Sequence, residues 1–284
     1  MNMLLYPNLN KKNARECTIK IAQTLEKLNC KSYISKEYQE NFMNNPYMIF
    51  GQLQNILKQC DVVIGIGGDG SIISAAHHAA LQDKLVFGIN TGRLGFLAEL
   101  EVEHLDKLKM LADGNFTVIE RMMLNLNYQN QSHDALNDIV VSCCSPSKII
   151  DINVSYNSNL IGNYRADGMI FSTPTGSTAY SLSAGGPIID PVLDTITMTP
   201  ICPHSLFTRS ILFASDKSLT VSANWSNNLE VYITLDGKTN IPIKCGEDFT
   251  IQKSTNSVKF IELGEHYFFD SINTKFLNNI HNNS

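Results

Sequence analysis

The 284-residue chain has a single tryptophan, and its seven cysteines form no C-x-x-C pair. An odd set of scattered thiols, with Cys143 and Cys144 adjacent, excludes a disulfide framework. It reads instead as reduced cysteine in a cytoplasmic protein. No dense Lys/Arg run occurs, and 22 basic against 27 acidic residues give a net charge of −5. That argues against nucleic-acid and membrane-surface partners. No apolar stretch approaches the roughly 20 residues of a membrane span. The opening "MNMLLYPNLNKK" is broken at Pro7, and its lysines follow the apolar run, so it is not a signal peptide. Also missing are G-x-x-x-x-G-K-S/T, the protein-kinase motif set, G-x-S-x-G and H-E-x-x-H. Their absence removes Walker-type, protein-kinase, serine-hydrolase and zincin readings. No protein metal ligands are assigned.

The length suits two domains. Residues 3–6 form a short apolar run, followed by Ala14, Cys17, Ile21, Leu25 and Leu28 at helical spacing. The pattern predicts a second helix over 47–60, a strand in "DVVIGIG", a helix in "SIISAAHHAALQD", a strand in "KLVFGIN" and a helix in "VEHLDKLKMLADG" ending at Gly114. Alternating strands and helices over 1–115 imply an α/β domain with a parallel, Rossmann-like sheet. From Phe116 the texture becomes period two, as in Ile150, Ile152, Val154 and Tyr156, or Leu229, Val231, Ile233 and Leu235. Residues 116–265 therefore read as a mainly β domain, and 266–284 as a helix with a frayed tail.

"DVVIGIGGDGSIISAAHHAA" (61–80) contains Gly65, Gly67 and Gly70 in the G-x-G-x-x-G spacing of dinucleotide-binding loops. A dehydrogenase of that type needs an acidic residue at the end of the next strand, about 20 positions on. Here that strand ends in Asn90 and Thr91. Asp69 lies inside the loop, where it would repel a phosphate. Ionised at a helix N-terminus, it suits two tasks. It can take a proton from a hydroxyl, or it can help hold Mg²⁺. A purely local capping role is the third reading. The "GGDGS" loop resembles those of phosphofructokinases, lipid kinases and NAD kinases.

The segment "NYRADGMIFSTPTGSTAYSLSAGGPIIDP" (163–191) is dense in Gly, Ser and Thr and has neither Lys nor Glu. Gly176, Gly185 and Gly186 permit close backbone approach. Thr173, Thr175, Ser177, Thr178, Ser181 and Ser183 offer neutral donors, and Tyr180 offers a flat face for a base. Arg165 and Asp167 flank the entrance. These are the groups that a nucleotide needs.

In these segments, together with "GINTGRLGFLAEL", "ALNDIVV" and "TPICPHSL", the chain resembles the bacterial-type NAD kinases along nearly its whole length. The resemblance implies transfer of phosphate from ATP, or in some members polyphosphate, to the 2′-hydroxyl of the adenosine ribose of NAD. It implies NAD and ATP as partners, a divalent cation such as Mg²⁺, NAD lying between two domains, and a homo-oligomer, a dimer or tetramer. It also implies residue roles. Asp69 is the proton acceptor, with Gly70 its loop partner. Asn137 and Asp138 bind sugar and adenine. Arg165 and Asp167 lie near the nicotinamide half. Thr175, Thr178, Ala179, Tyr180, Ser181, Leu182 and Ser183 line the NAD pocket. Ser71 stands where Thr is common, Ser74 where many members carry Arg or Lys, and Lys148 and Lys238 where relatives vary. Lys148 is kept as a binding candidate. His77 and His78 are expected to pack or face solvent, and His204 to hold a turn.

Overall fold

The computed structural model describes all residues except 12, 44, 93–94, 145–147, 205–208, 227–228, 265–267 and 274–284, with the backbone alone for 269–270. Most of the expected 266–284 tail, Ser205 and Leu206 of "TPICPHSL", and Arg93 and Leu94 of "GRLGFL" therefore lie outside the described residues. The contacts divide the chain into two compact units, Met1–Glu120 with Val258–Ser284, and Arg121–Ser257.

The first unit alternates strand and helix: β1 (Asn2–Pro7), α1 (Ala14–Lys27), β2 (Lys31–Ser35), β3 (Met48–Gly51), α2 (Leu53–Gln59), β4 (Val62–Ile66), α3 (Asp69–Ala80), β5 (Leu85–Asn90), β6 (Leu100–Glu101) and α4 (Leu108–Ala112). The order β3-β2-β1-β4-β5 is parallel throughout. Strands buried on both faces explain the unbroken apolar runs. Every residue of β4 is buried, and Ile21, Leu25, Val62, Ile64, Phe87 and Ile89 share one core.

Two helix boundaries differ from the pattern. The expected helix over 47–60 splits into β3 and α2. Met48, Ile49 and Phe50 extend along β2, and α2 then packs Ile56 against Gly51, where a Cβ would lie 3.2 Å from Ile56. A free sheet edge outweighed a helical spacing that was ambiguous over so few residues. The expected helix over 102–114 is a 3₁₀ stretch, Val102–Lys107, with His104 off helical geometry, leading into the short α4. Its predicted end does occur at Gly114, whose φ of +73° fits a left-handed C-cap closed by Asn115 N–H on the Met110 carbonyl.

The chain crosses to the second unit along β7 (Thr117–Tyr128), followed by β8 (Gln131–Ala135), β9 (Asp138–Cys143), β10 (Ile150–Tyr156), β11 (Asn159–Ala166), β12 (Gly168–Ser172), the one-turn α5 (Tyr180–Ser183), β13 (Thr195–Ile201), β14 (Ile211–Ala214), β15 (Leu219–Asn224), β16 (Val231–Leu235), β17 (Thr239–Pro242) and β18 (Asp248–Glu262). An antiparallel sheet runs β14-β13-β12-β9-β16-β17, and β11-β10-β15 continues onto the start of β18. Period two is visible in the burial. Ile150, Ile152 and Val154 enter the core with Val221, Ile233 and Phe249. Three hairpins turn on paired positive-φ residues, Gln129-Asn130, Asn157-Ser158 and Asp236-Gly237. The first two are two-residue turns whose twist matches the strands, and the third is the three-residue turn Asp236–Lys238 between Leu235 and Thr239.

The contact division leaves the first unit near residue 120 and returns to it at Val258, earlier than a boundary at 265. The reason is local: Lys259 and Phe260 of β18 pair in parallel with Leu85 and Val86 of β5. A short helix, α6 (Phe268–Ile272), follows. Among the described residues, no helix is long and apolar enough to cross a membrane.

Candidate active site

In the first unit, the strand order reverses direction between β1 and β4, and the "GGDG" loop leaves the carboxyl end of β4 there. Ligands of open α/β sheets bind at such switch points. Gly67 takes φ +148° and hydrogen-bonds the Ile89 carbonyl. A Cβ on it would meet the Ser71 side chain at 2.6–2.9 Å. The Ser71 hydroxyl is tied to the Asn8 side-chain amide (3.0 Å), beyond the end of β1. Ser74 donates back to the Gly70 carbonyl (3.2 Å).

Asp69 opens α3 but does not cap it. Its carboxylate accepts Phe96 N–H (2.9 Å, Oδ2) and Leu97 N–H (3.2 Å, Oδ1). The local-capping reading is thus replaced by a bond to a segment 27 residues away. Each oxygen keeps lone-pair capacity beyond these bonds, so the group can still accept a proton. The His78 ring packs against Tyr6, centroids 5.3 Å apart and planes tilted by 52°, with its Nε2 3.3 Å from the Tyr6 hydroxyl.

In the second unit, β9 sends Ile139 and Val141 into the core, and Asp138, Val140 and Ser142 to the opposite face. That face floors a cleft of about 400 Å³, closed by Asn137, Ala179, Tyr180, Thr234, Asp236 and Gly237. The Asn137-Asp138 turn is clamped on two sides. The Asp236 carboxylate accepts the N–H groups of Leu136 (2.9 Å), Asn137 (2.7 Å) and Asp138 (3.0 Å). From the other side, Thr173 N–H donates to the Asn137 carbonyl (2.9 Å), and the Thr173 hydroxyl donates to the Leu136 carbonyl (2.6 Å). Gly176 presses on the same turn, and a Cβ there would sit 2.5 Å from the Asn137 carbonyl carbon. The Asp138 carboxyl is buried and pushed up to about 7, by burial first and the Asp236 carboxylate second, against the Tyr180 N–H that favours its ionised form.

The hydroxyl-rich loop divides into inside and outside groups. Ser177 exchanges hydrogen bonds with the Ile189 backbone, and Ser181 bonds Thr199. Both are fully buried, so these hydroxyls hold the loop. Thr175 is buried as well, and its carbonyl accepts the Thr178 hydroxyl (3.3 Å). Tyr180, at 47 % exposure, stands over the cleft beside Ala179, Leu182 is half-buried and Ser183 is exposed. Asp167 is half-buried with its N–H on the Ile201 carbonyl (3.0 Å). Arg165 is exposed on β11, its carbonyl accepting His204 N–H (2.8 Å), which fits a turn-holding His204. Lys148 is exposed and lines neither this cleft nor a polar one of about 210 Å³ beside Asn90 and Thr91. The cleft's lining brings together Asn137, Asp138, Ala179 and Tyr180, and it leaves Thr175, Thr178, Ser181, Leu182 and Ser183, as well as Arg165, Asp167 and Lys148, outside. Asp236 escaped the sequence reading. Its signal was available, since "DG" between two alternating runs marks a hairpin turn.

Residues 4–112 match the ATP-NAD kinase N-terminal domain and residues 136–263 the ATP-NAD kinase C-terminal domain. The chain belongs to the ATP-NAD kinase family. An NAD kinase of Geobacter sulfurreducens is 38% identical over 228 residues, 78% of this chain and 80% of the relative. One of Natranaerobius thermophilus is 33% identical over 277 residues, 95% and 96% of the two chains. Two solved structures share the ATP-NAD kinase fold. Yeast NADH kinase complexed with NADH has a TM-score of 0.84 at 23% identity, covering 98% of this chain and 87% of its own. An Archaeoglobus fulgidus NAD kinase in complex with ATP has a TM-score of 0.73 at 23% identity, covering 96% and 98%. The family's two domain models fall on the α/β part carrying Asp69 and on the β-rich part carrying the cleft.

Proposed function

We propose that this chain phosphorylates the 2′-hydroxyl of the adenosine ribose of NAD at the expense of ATP, yielding NADP and ADP. The observation that carries the reading is the cleft in which Asn137, Asp138 and Tyr180 converge, in the domain matched by the kinase C-terminal model. Asn137 and Asp138 bind the adenosine, with the Asp138 carboxylate accepting donors from it. Tyr180 supplies the stacking face. Thr178, Leu182 and Ser183 flank these residues in the same loop and are further substrate contacts, with Thr175 and Ser181 holding the loop. Arg165 and Asp167 serve the nicotinamide half of the substrate, and Lys148 is a further binding candidate.

Asp69 accepts the proton of the 2′-hydroxyl as its oxygen bonds to the γ-phosphorus and the bond to the ADP oxygen breaks. A positioned base contributes roughly 10²–10⁴-fold, and alignment of hydroxyl and donor supplies much of the rest. Among the described residues no three His, Cys, Asp or Glu side chains cluster to cage a metal. Asp69 is the carboxylate of the loop that would help hold a divalent cation, the remaining ligands coming from phosphate and water oxygens as Mg²⁺ accepts. When bound, the cation neutralises charge on the transferring phosphoryl group. Polyphosphate is the alternative donor. A cytoplasmic, homo-oligomeric enzyme, dimer or tetramer, completes the reading.

The test is incubation with NAD, ATP and Mg²⁺, followed by detection of NADP with an NADP-specific dehydrogenase. Absence of NADP with either ATP or polyphosphate refutes the activity. Asp69→Asn should lower kcat by roughly 10²–10⁴ while NAD still binds. An effect on KM alone would limit Asp69 to positioning substrate.

A further inference from the structure

We propose that Gly95, with the backbone of Phe96 and Leu97, is a positioning element that seats the Asp69 carboxylate, and that the carboxylate is the reason position 95 has no side chain. The functional half of this inference rests on Asp69 being the base. A Cβ at Gly95 would come within 2.6 Å of Asp69 Cγ and closer still to Oδ1, and the three nearest atoms to it all belong to Asp69. Backbone conformation does not demand glycine there, because Gly95 is not among the positive-φ residues. Gly67, by contrast, needs its φ of +148°. What glycine provides at 95 is room for the carboxylate to reach the two N–H groups beyond it.

That turn is itself anchored. Glu99 N–H donates to the Gly88 carbonyl of β5 (3.0 Å). A Cβ at Gly88 would lie 2.5 Å from the Leu97 carbonyl oxygen, so β5 and the turn run in direct backbone contact. The buried Glu99 carboxylate accepts Leu263 N–H (2.7 Å), and the Phe96 ring lies 6.3 Å from that of Phe268. The two N–H groups are therefore fixed relative to β5, whose neighbour β4 delivers the "GGDG" loop. Asp69 is oriented by both ends of this frame, and its direction is set before any substrate arrives. Displacing such a group by about 1 Å can lower a rate by about 10²-fold.

The experiment is a cycle of Gly95→Ala, Asp69→Ala and the double variant in the full chain, read by thermal melting and by steady-state NADP formation. Gly95→Ala should lower Tm by at least about 2–4 °C, and lower kcat by up to about 10²-fold with KM for NAD nearly unchanged. Asp69→Ala removes the atoms that Gly95 must avoid. In that background, adding Gly95→Ala should leave Tm and the residual rate unchanged. An equal Tm loss in both backgrounds, with multiplicative losses of rate, would overturn the proposal. Should Gly95→Ala fail to fold, recovery of folding in the double variant supports it, and failure of both overturns it. Full activity in Asp69→Ala would refute the base assignment, while the melting cycle would still decide whether Gly95 exists to seat Asp69.

Discussion

Asp138→Asn should make the protein more stable at alkaline pH and less able to bind NAD. The Asp138 carboxyl is 5 % exposed, and its pKa rises from 3.8 to about 7 on folding, mainly through burial and then through the Asp236 carboxylate. The folded state thus holds this proton more tightly than the unfolded state. Its stabilising contribution is complete below about pH 3.8, declines as pH rises through about 7, and is constant above that. The shift of about three units corresponds to about 4 kcal/mol as an upper figure. Asn stays neutral throughout, its carbonyl can accept the Tyr180 N–H, and its amide can face Asp236. Loss of the charge-assisted Tyr180 bond offsets part of the gain, leaving about 1–3 kcal/mol at pH 8. Melting curves of both proteins at pH 5.5 and pH 8 isolate the effect of Asp138 and its coupled neighbour Asp236, because groups not coupled to Asp138 cancel in the difference. The variant should gain on the parent as pH rises. A gap that does not change between the two pH values would refute the reasoning. NAD titrations should show weaker binding by the variant at pH 8, as expected where a site holds a destabilised charge for function.

Tyr180→Ala should weaken NAD binding by about 1–3 kcal/mol, the scale of one base-stacking contact, and Tyr180→Phe by less; equal losses in calorimetry would mean that the phenol matters rather than the ring. Asp236→Ala strips the shared acceptor from three N–H groups, and since the carboxylate is only half-buried the loss should be about 2–4 kcal/mol, less than three fully buried bonds would give. Asp236→Asn should lose less, because one oxygen can still serve Asn137 and Asp138. A melting temperature for Asp236→Ala equal to that of the parent would show that this clamp contributes nothing.

Much of the fold was legible because burial imposes periods. The helical spacing of Ala14 to Leu25 became α1, and the alternation from Ile150 to Tyr156 became β10. Residues 47–60 were misread because a short apolar run satisfies either period, and only the open edge of β2 chose a strand for Met48–Gly51.

The loop at 163–191 announced a nucleotide site by composition, but composition could not sort its hydroxyls. Ser177 and Ser181 face inward to Ile189 and Thr199, whereas Tyr180 faces the cleft. A hydroxyl's role depends on which partner lies within hydrogen-bond reach, and those partners come from distant strands.

What the sequence determined by itself was local: which segments are apolar on one face or both, where glycine permits a turn, and that an acid sits in a glycine-rich loop at a helix start. Those properties follow from neighbouring residues and the geometry of a strand or helix. The tertiary structure decided what each acid touches. Asp69 meets N–H groups 27 and 28 residues away, and Asp236 meets a turn about 100 residues before it. Asp138 has its proton affinity raised by burial and by that same Asp236. Electrostatic and hydrogen-bond energies depend on distance in space and on exclusion of water, and neither is encoded in spacing along the chain.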